Sequence, residues 1–122
     1  MSIRMEAVIQ NKKIQAKKKT LISVFSKISE DKRELATTLI DRVAFMSITL
    51  DLLEEDIKEN GPVTLFVQGK QEMMIENPAQ KSYNTMINRY TAAVKQLLDL
   101  LPKNEETIDD GFEDFIKRAD EK

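Results

Sequence analysis

Asn60-Gly61-Pro62-Val63-Thr64-Leu65-Phe66-Val67-Gln68-Gly69-Lys70-Gln71-Glu72-Met73-Met74-Ile75-Glu76-Asn77-Pro78 is the one stretch of this chain where helical periodicity stops. Two of the three glycines and two of the three prolines lie in it, so the backbone changes direction there. Gly61-Pro62 closes a helix: glycine suits the left-handed position past a C-cap, and proline cannot continue the turn. Val63–Val67 is β-branched and aromatic, Gln68-Gly69-Lys70-Gln71 is a turn, and Glu72–Ile75 returns as a second short strand. Asn77-Pro78 opens the next helix, with Asn as N-cap, Pro at the first helical position and Gln80 placed to complete a capping box.

Long amphipathic helices flank the hairpin. Upstream, Ser29 is placed to cap a helix whose first turn carries Glu30 and Asp31. Leu35, Leu39, Val43, Met46, Leu50, Leu53 and Ile57 recur at steps of three and four and make one apolar stripe. Downstream, Tyr83, Met86, Ile87, Tyr90, Val94, Leu97, Leu98 and Leu101 form a broad apolar face that ends at Pro102, and Ala92 and Ala93 permit close approach. The first 28 residues read as helical too, with Ile14, Leu21, Phe25 and Ile28 on one stripe; before about Ile14 the periodicity weakens and fraying is expected.

A helix over residues 30–59 extends about 45 Å. A compact domain of this length is roughly 35 Å across. Helices of that length outrun the chain available to wrap them, so neighbouring copies are expected to cover the remaining stripe. The residues assigned to that contact are Leu39, Val43, Met46, Leu50 and Leu53 on the first long helix and Tyr83, Tyr90, Val94 and Leu97 on the second.

Composition excludes several classes of chemistry. The chain of 122 residues has no cysteine and no histidine, which removes thiolate nucleophiles, zinc–sulfur sites and the usual general base. Glu54-Glu55-Asp56 are consecutive on a helix and point in different directions, so they read as a solvated face rather than an ion site. Gly61 and Gly69 belong to no phosphate-cradling motif. No apolar run approaches the ~20 residues of a membrane span, and no signal peptide is evident, so a cytoplasmic location is expected. The sequence therefore points to a chain that is not an enzyme, with no catalytic residue, metal or cofactor.

Charge is unevenly placed. Arg4, Lys12, Lys13, Lys17, Lys18, Lys19 and Lys27 stand against Glu6 alone in the first 28 residues, although the net charge is −2. Residues 104–122 carry Glu105, Glu106, Asp109, Asp110, Glu113, Asp114, Asp120 and Glu121 against Lys117, Arg118 and Lys122. A concentrated cationic segment supports contact with DNA phosphates; without interleaved aromatics it does not indicate base stacking. In the acidic tail, Phe112, Phe115 and Ile116 form a short amphipathic motif suited to docking on another protein.

The segment from Asn60 to Pro102 resembles the small subunit of phage terminases. The resemblance rests on Asn60-Gly61-Pro62, the strand Val63–Val67, the turn at Gly69, Asn77-Pro78-Ala79 and the helix ending Leu100-Leu101-Pro102. It covers about a third of the chain, and its distinctive part is the order Gly, Asn-Pro, Leu-x-Pro. Leu98-Asp99-Leu100-Leu101-Pro102 departs from the family's Leu-Gly-Leu-Thr-Pro ending, so no role is carried over for that loop. The resemblance implies a non-catalytic packaging factor that assembles as a ring in the host-cell cytoplasm. It also implies that the factor binds double-stranded viral DNA and regulates the large terminase subunit. The rival expectation is an oligomeric helical adaptor with no nucleic-acid role.

The expected architecture is mainly α: a long antiparallel helical hairpin with a small β-hairpin at its tip and a basic N-terminal helix. Residues 1–28 form the basic helical segment, 29–102 the oligomerisation core and 103–122 the acidic tail.

Overall fold

The computed structural model describes residues 3–103, with side chains from Ala7 onward. Helix α1 spans Ile3–Val24, a 3₁₀ turn covers Glu30–Lys32, and helix α2 runs Arg33–Asn60. Strands β1 (Val63–Gln68) and β2 (Gln71–Glu76) follow, then helix α3 (Pro78–Asp99). The architecture is mainly helical with one antiparallel two-stranded hairpin.

Helix α2 is the middle of the molecule, packed by α1 on one side and α3 on the other. Its buried set is Ala36, Leu39, Ile40, Val43, Ala44, Ser47 and Leu50, an arc wider than a single leucine stripe. Leucines alone do not mark it: Leu35, expected on the stripe, is 54% exposed, while Ala36, Ile40 and Ala44 are inside. Small side chains at 36 and 44 let the neighbouring helices approach closely. Leu21, Phe25 and Ile28 join α2 and the α3 residues Ala93 and Leu97 in one core. The basic N-terminal segment therefore shares its apolar face with the rest of the chain.

Several local expectations are corrected. The first helix ends at Val24 rather than near Ile28, and the chain turns through Phe25 N–H to Leu21 O (2.9 Å) and Ile28 N–H to Phe25 O (3.2 Å). That turn places Phe25 and Ile28 against α2. The helix also continues back to Ile3, past the point where fraying was expected. Ser29 does not cap α2: its hydroxyl donates to Asp31 Oδ1 at 2.6 Å, and the 3₁₀ turn intervenes before Arg33.

At the other end Gly61 terminates α2 with its N–H on Ile57 O at 2.7 Å. Its φ is +80° as anticipated, but its ψ of 171° lies outside the left-handed helical well, in a region that essentially only glycine occupies.

The hairpin pairs Val63 with Glu76, Thr64 with Ile75, Leu65 with Met74, Phe66 with Met73, Val67 with Glu72 and Gln68 with Gln71. Gly69 has φ +62° and Lys70 a negative φ, the pattern of a two-residue turn with glycine first. Asn77 N–H donates to Pro62 O at 2.8 Å and closes the base of this excursion. Asn77 Oδ1 then caps α3 by accepting from Ala79 N–H at 3.0 Å. The expected capping box is not made, because the Asn77 N–H is already taken and Gln80 Nε2 donates instead to Asn84 Oδ1 at 2.8 Å.

Candidate nucleic-acid and partner interface

The lysines of α1 leave the helix in three directions. With 100° per residue, Lys12 and Lys19 fall on nearly the same azimuth, Lys13 and Lys17 on a second, and Lys18 on a third. Ile14 and Leu21 point toward α2, so the Lys12–Lys19 azimuth is the outward one. Lys12, Lys13, Lys19 and Lys27 are exposed, whereas Lys17 and Lys18 are half-buried. Lys18 is committed elsewhere: its Nζ lies 2.7 Å from Asp41 Oδ1 on α2, the ion pair found among the described residues. The cationic surface is thus narrower than the lysine run implies. The side chain of Arg4 lies outside the described residues.

The residues assigned to contact between copies divide by depth. Leu39, Val43, Leu50 and Leu97 are buried within the single chain, Leu97 and Val43 almost completely. Leu39, Val43 and Leu97 belong to the shared core of α1, α2 and α3, and Leu50 is buried outside that cluster, so little of their apolar surface is left open. Met46, Leu53, Tyr83, Tyr90 and Val94 are half-buried. The tyrosines are tied to α2. Tyr83 donates its hydroxyl to Glu54 Oε2 at 3.2 Å; desolvation, then the Glu54 charge, raise its pKa. Burial raises that of Tyr90 as well, opposed by a hydrogen bond with Ser47 and reinforced by the charge of Asp51.

Apolar surface that is open to a partner lies elsewhere. On the hairpin Val63, Leu65, Val67 and Met74 share one face with Glu72 and Glu76, and Phe66 and Met73 occupy the other; all six apolar residues are exposed, Met74 by 63%. On the second face only Thr64 and Ile75 are half-buried. A two-stranded hairpin is marginal by itself in water, and one apolar on both faces with two open edges invites a partner. A second exposed group is Phe45 and Leu52 on α2. Sequence reasoning recognised the hairpin as a fold element and passed over it as a surface. The signal was present in Leu65-Phe66-Val67 and Met73-Met74, which interrupt the polar alternation of a strand with one covered face.

Glu54 and Asp56 take separate partners. Glu54 meets Tyr83, and Asp56 accepts from Asn77 Nδ2 at 2.9 Å and from Asn60 Nδ2 at 3.3 Å. Among the described residues no carboxylate cluster is arranged to hold a metal ion, and no helix is long and apolar enough to cross a membrane. Phe112, Phe115 and Ile116 lie outside the described residues. No family model, no curated protein and no solved structure matches the chain.

Proposed function

We propose that this chain is a non-catalytic DNA-packaging factor of the phage terminase small-subunit kind. In this reading copies of the chain associate into a ring in the host-cell cytoplasm. The lysines of α1 hold double-stranded viral DNA by its phosphates, and Phe112, Phe115 and Ile116 dock the large terminase subunit. The observation that carries the reading is the unit Asn60–Pro102: Gly61-Pro62 stops one long helix, a short hairpin follows, and Asn77-Pro78 starts the next. That is the order of elements on which the resemblance to terminase small subunits rests. The outward Lys12, Lys13 and Lys19 add a cationic face to a chain of net charge −2.

The exposures support a division of labour. Copies meet through the open hairpin and the α2 surface at Phe45 and Leu52, because the deeper leucines are occupied. Phosphate contact is electrostatic and sequence-tolerant, since lysine supplies a point charge without base readout.

The test is retention of duplex DNA measured against salt, with the mass of the assembly determined in solution. The reading expects retention at ~50 mM salt and a steep fall in affinity as salt rises. It also expects that neutralising Lys12, Lys13, Lys17, Lys18 and Lys19 together abolishes retention. A well-folded oligomer with no affinity for DNA would instead be a helical adaptor, and the packaging reading would be withdrawn.

A further inference from the structure

The hairpin has two open edges, and they are not alike. Asn77 N–H donates to Pro62 O at 2.8 Å, and that pair continues the ladder one step below Val63–Glu76. Opposed residues in an antiparallel ladder alternate between pairs that hydrogen-bond and pairs that do not. The bonded pairs are therefore Pro62–Asn77, Thr64–Ile75, Phe66–Met73 and Gln68–Gln71, and the last closes the two-residue turn. Val63, Leu65 and Val67 turn their N–H and C=O groups away from β2. On the opposite edge Glu72, Met74 and Glu76 do the same. Among the described residues no third strand lies against either edge.

The β2 edge is protected by charge. Two of its three outward residues are glutamates, and a second copy paired there about Met74 would set Glu72 beside Glu76. The β1 edge has no such protection. Val63–Gln68 contains no charged residue, and Val63-x-Leu65-x-Val67 reads the same in both directions about Leu65.

We infer that β1 pairs with β1 of a second copy, antiparallel, about a two-fold axis at Leu65. Leu65 then faces Leu65 of the second copy, and Val63 faces its Val67. These pairs exchange about six backbone hydrogen bonds. The merged sheet has four strands, where a lone hairpin is marginal in water. A Met74-Leu65-Leu65-Met74 band crosses the middle of its first face, with the glutamates at the outer corners. On the second face Phe66 lies beside Thr64 of the second copy, an aromatic side chain against a β-branched one. Strand addition by an unrelated protein is not selected in this way. The β1 edge offers a foreign strand no charge to pair with, whereas its own copy matches the pattern residue for residue.

The pairing deepens the contact between copies proposed above and rests on that part of the reading, not on DNA. A two-fold contact joins chains in pairs, so any closed assembly that uses it throughout holds an even number of them.

The experiment uses the full chain, which has no cysteine of its own. Leu65→Cys should give a disulfide-linked dimer on mild oxidation, because the facing Cα atoms lie about 5.5 Å apart. Val63→Cys and Val67→Cys should each fail to link alone, with like positions about 14 Å apart, and should link when the two proteins are mixed. Met74→Cys, also exposed, lies about 14 Å from its counterpart across three strand spacings and should not link. Leu65→Pro removes an outward N–H and leaves the bonds to β2 in place. It should keep the helical circular dichroism and weaken association about thirtyfold in sedimentation. Met74→Pro, the same change on the charged edge, should associate like the parent. A parent that sediments as a single chain, linkage of Val63→Cys to itself, or equal effects of the two prolines overturns the inference. If the links form as expected but duplex DNA is not retained, the packaging reading fails and the strand pairing stands. If DNA is retained by an assembly whose Leu65→Cys form does not link, the strand pairing fails alone.

Discussion

Asn77 Nδ2 donates to Asp56 Oδ1 at 2.9 Å and to Gly61 O at 2.9 Å, tying residues 21 and 16 positions apart in sequence. The same side chain caps α3 through its oxygen. With its backbone N–H on Pro62 O and its carbonyl accepting from Gln80 N–H at 2.8 Å, Asn77 links the end of α2, the base of the hairpin and the start of α3. It is 4% exposed, and while the exposed Asp56 can turn to water, Gly61 O and Ala79 N–H are half-buried beside it. Asn77→Ala is expected to cost about 2–3 kcal/mol, combining a lost cap with unmet hydrogen bonds. Thermal unfolding measures it. Asn77→Asp keeps the cap acceptor but replaces the donor to Asp56 with a second carboxylate, so it should also be less stable than the parent.

The two positive-φ glycines should respond differently to alanine. Gly61 sits at φ +80°, ψ 171°, where a side chain is strained whatever the space, although an added Cβ would meet only Val63 O at 3.8 Å. Gly69 at φ +62° has open space around it. Gly61→Ala is expected to cost about 2 kcal/mol and Gly69→Ala about 1. Chemical denaturation of the two variants compares them; equal costs would contradict the conformational argument.

Tyr90 sets an alkaline limit to stability. Burial favours its neutral form, so its folded-state pKa is above that of the unfolded chain. The stabilisation this represents is fully present below the ordinary tyrosine pKa of about 10 and is lost as pH rises through the higher folded value. Tyr90→Phe should therefore flatten the fall in melting temperature above pH ~10, while lowering stability at neutral pH by about 1 kcal/mol through the lost Ser47 hydrogen bond.

Assembly and folding should separate by mutation. Leu97 is fully buried, and a charge there breaks the protomer: Leu97→Asp is expected to unfold it, seen as loss of helical circular dichroism. Leu65 and Met74 are exposed partners across the hairpin. Leu65→Lys/Met74→Lys should keep the helical spectrum and shift the sedimentation coefficient to that of a single protomer. A pair variant that sediments like the parent would place the contact between copies away from the hairpin.

The Lys18–Asp41 pair makes a counter-intuitive prediction for DNA affinity. Both side chains are partly exposed, so the pair adds little to stability, within about 1 kcal/mol. Asp41→Asn removes the competing carboxylate and, on the proposed packaging function, frees a lysine for phosphate. Duplex affinity should rise and the salt slope steepen by up to about one, with melting nearly unchanged.

Local signals were readable because their causes are local. Gly61-Pro62 and Asn77-Pro78 impose backbone angles and caps within a few residues, and both boundaries fall where those residues stand. The depth of α2's side chains was not readable to the same degree. Its leucine periodicity defines one direction, but a helix held between two others buries a broad arc, so Ala36 and Ala44 go inside while Leu35 stays out. The reach of Lys18 to Asp41, across 23 positions, depends on how α1 docks, and nothing in either local sequence encodes that. Gln80 had the right spacing for a capping box, yet Pro62 reached the Asn77 N–H first.

The Pro62–Asn77 closure has a consequence for how this chain could be varied. The hairpin leaves the helical pair and rejoins it at one point, so its two strands behave as a cassette. Lengthening, shortening or exchanging them between Val63 and Glu76 should leave the register of α2 on α3 intact, provided Gly61, Pro62 and Asn77 remain. Such a junction lets a lineage, or a designer grafting a foreign loop, retune what the tip touches without rebuilding the rod that carries it.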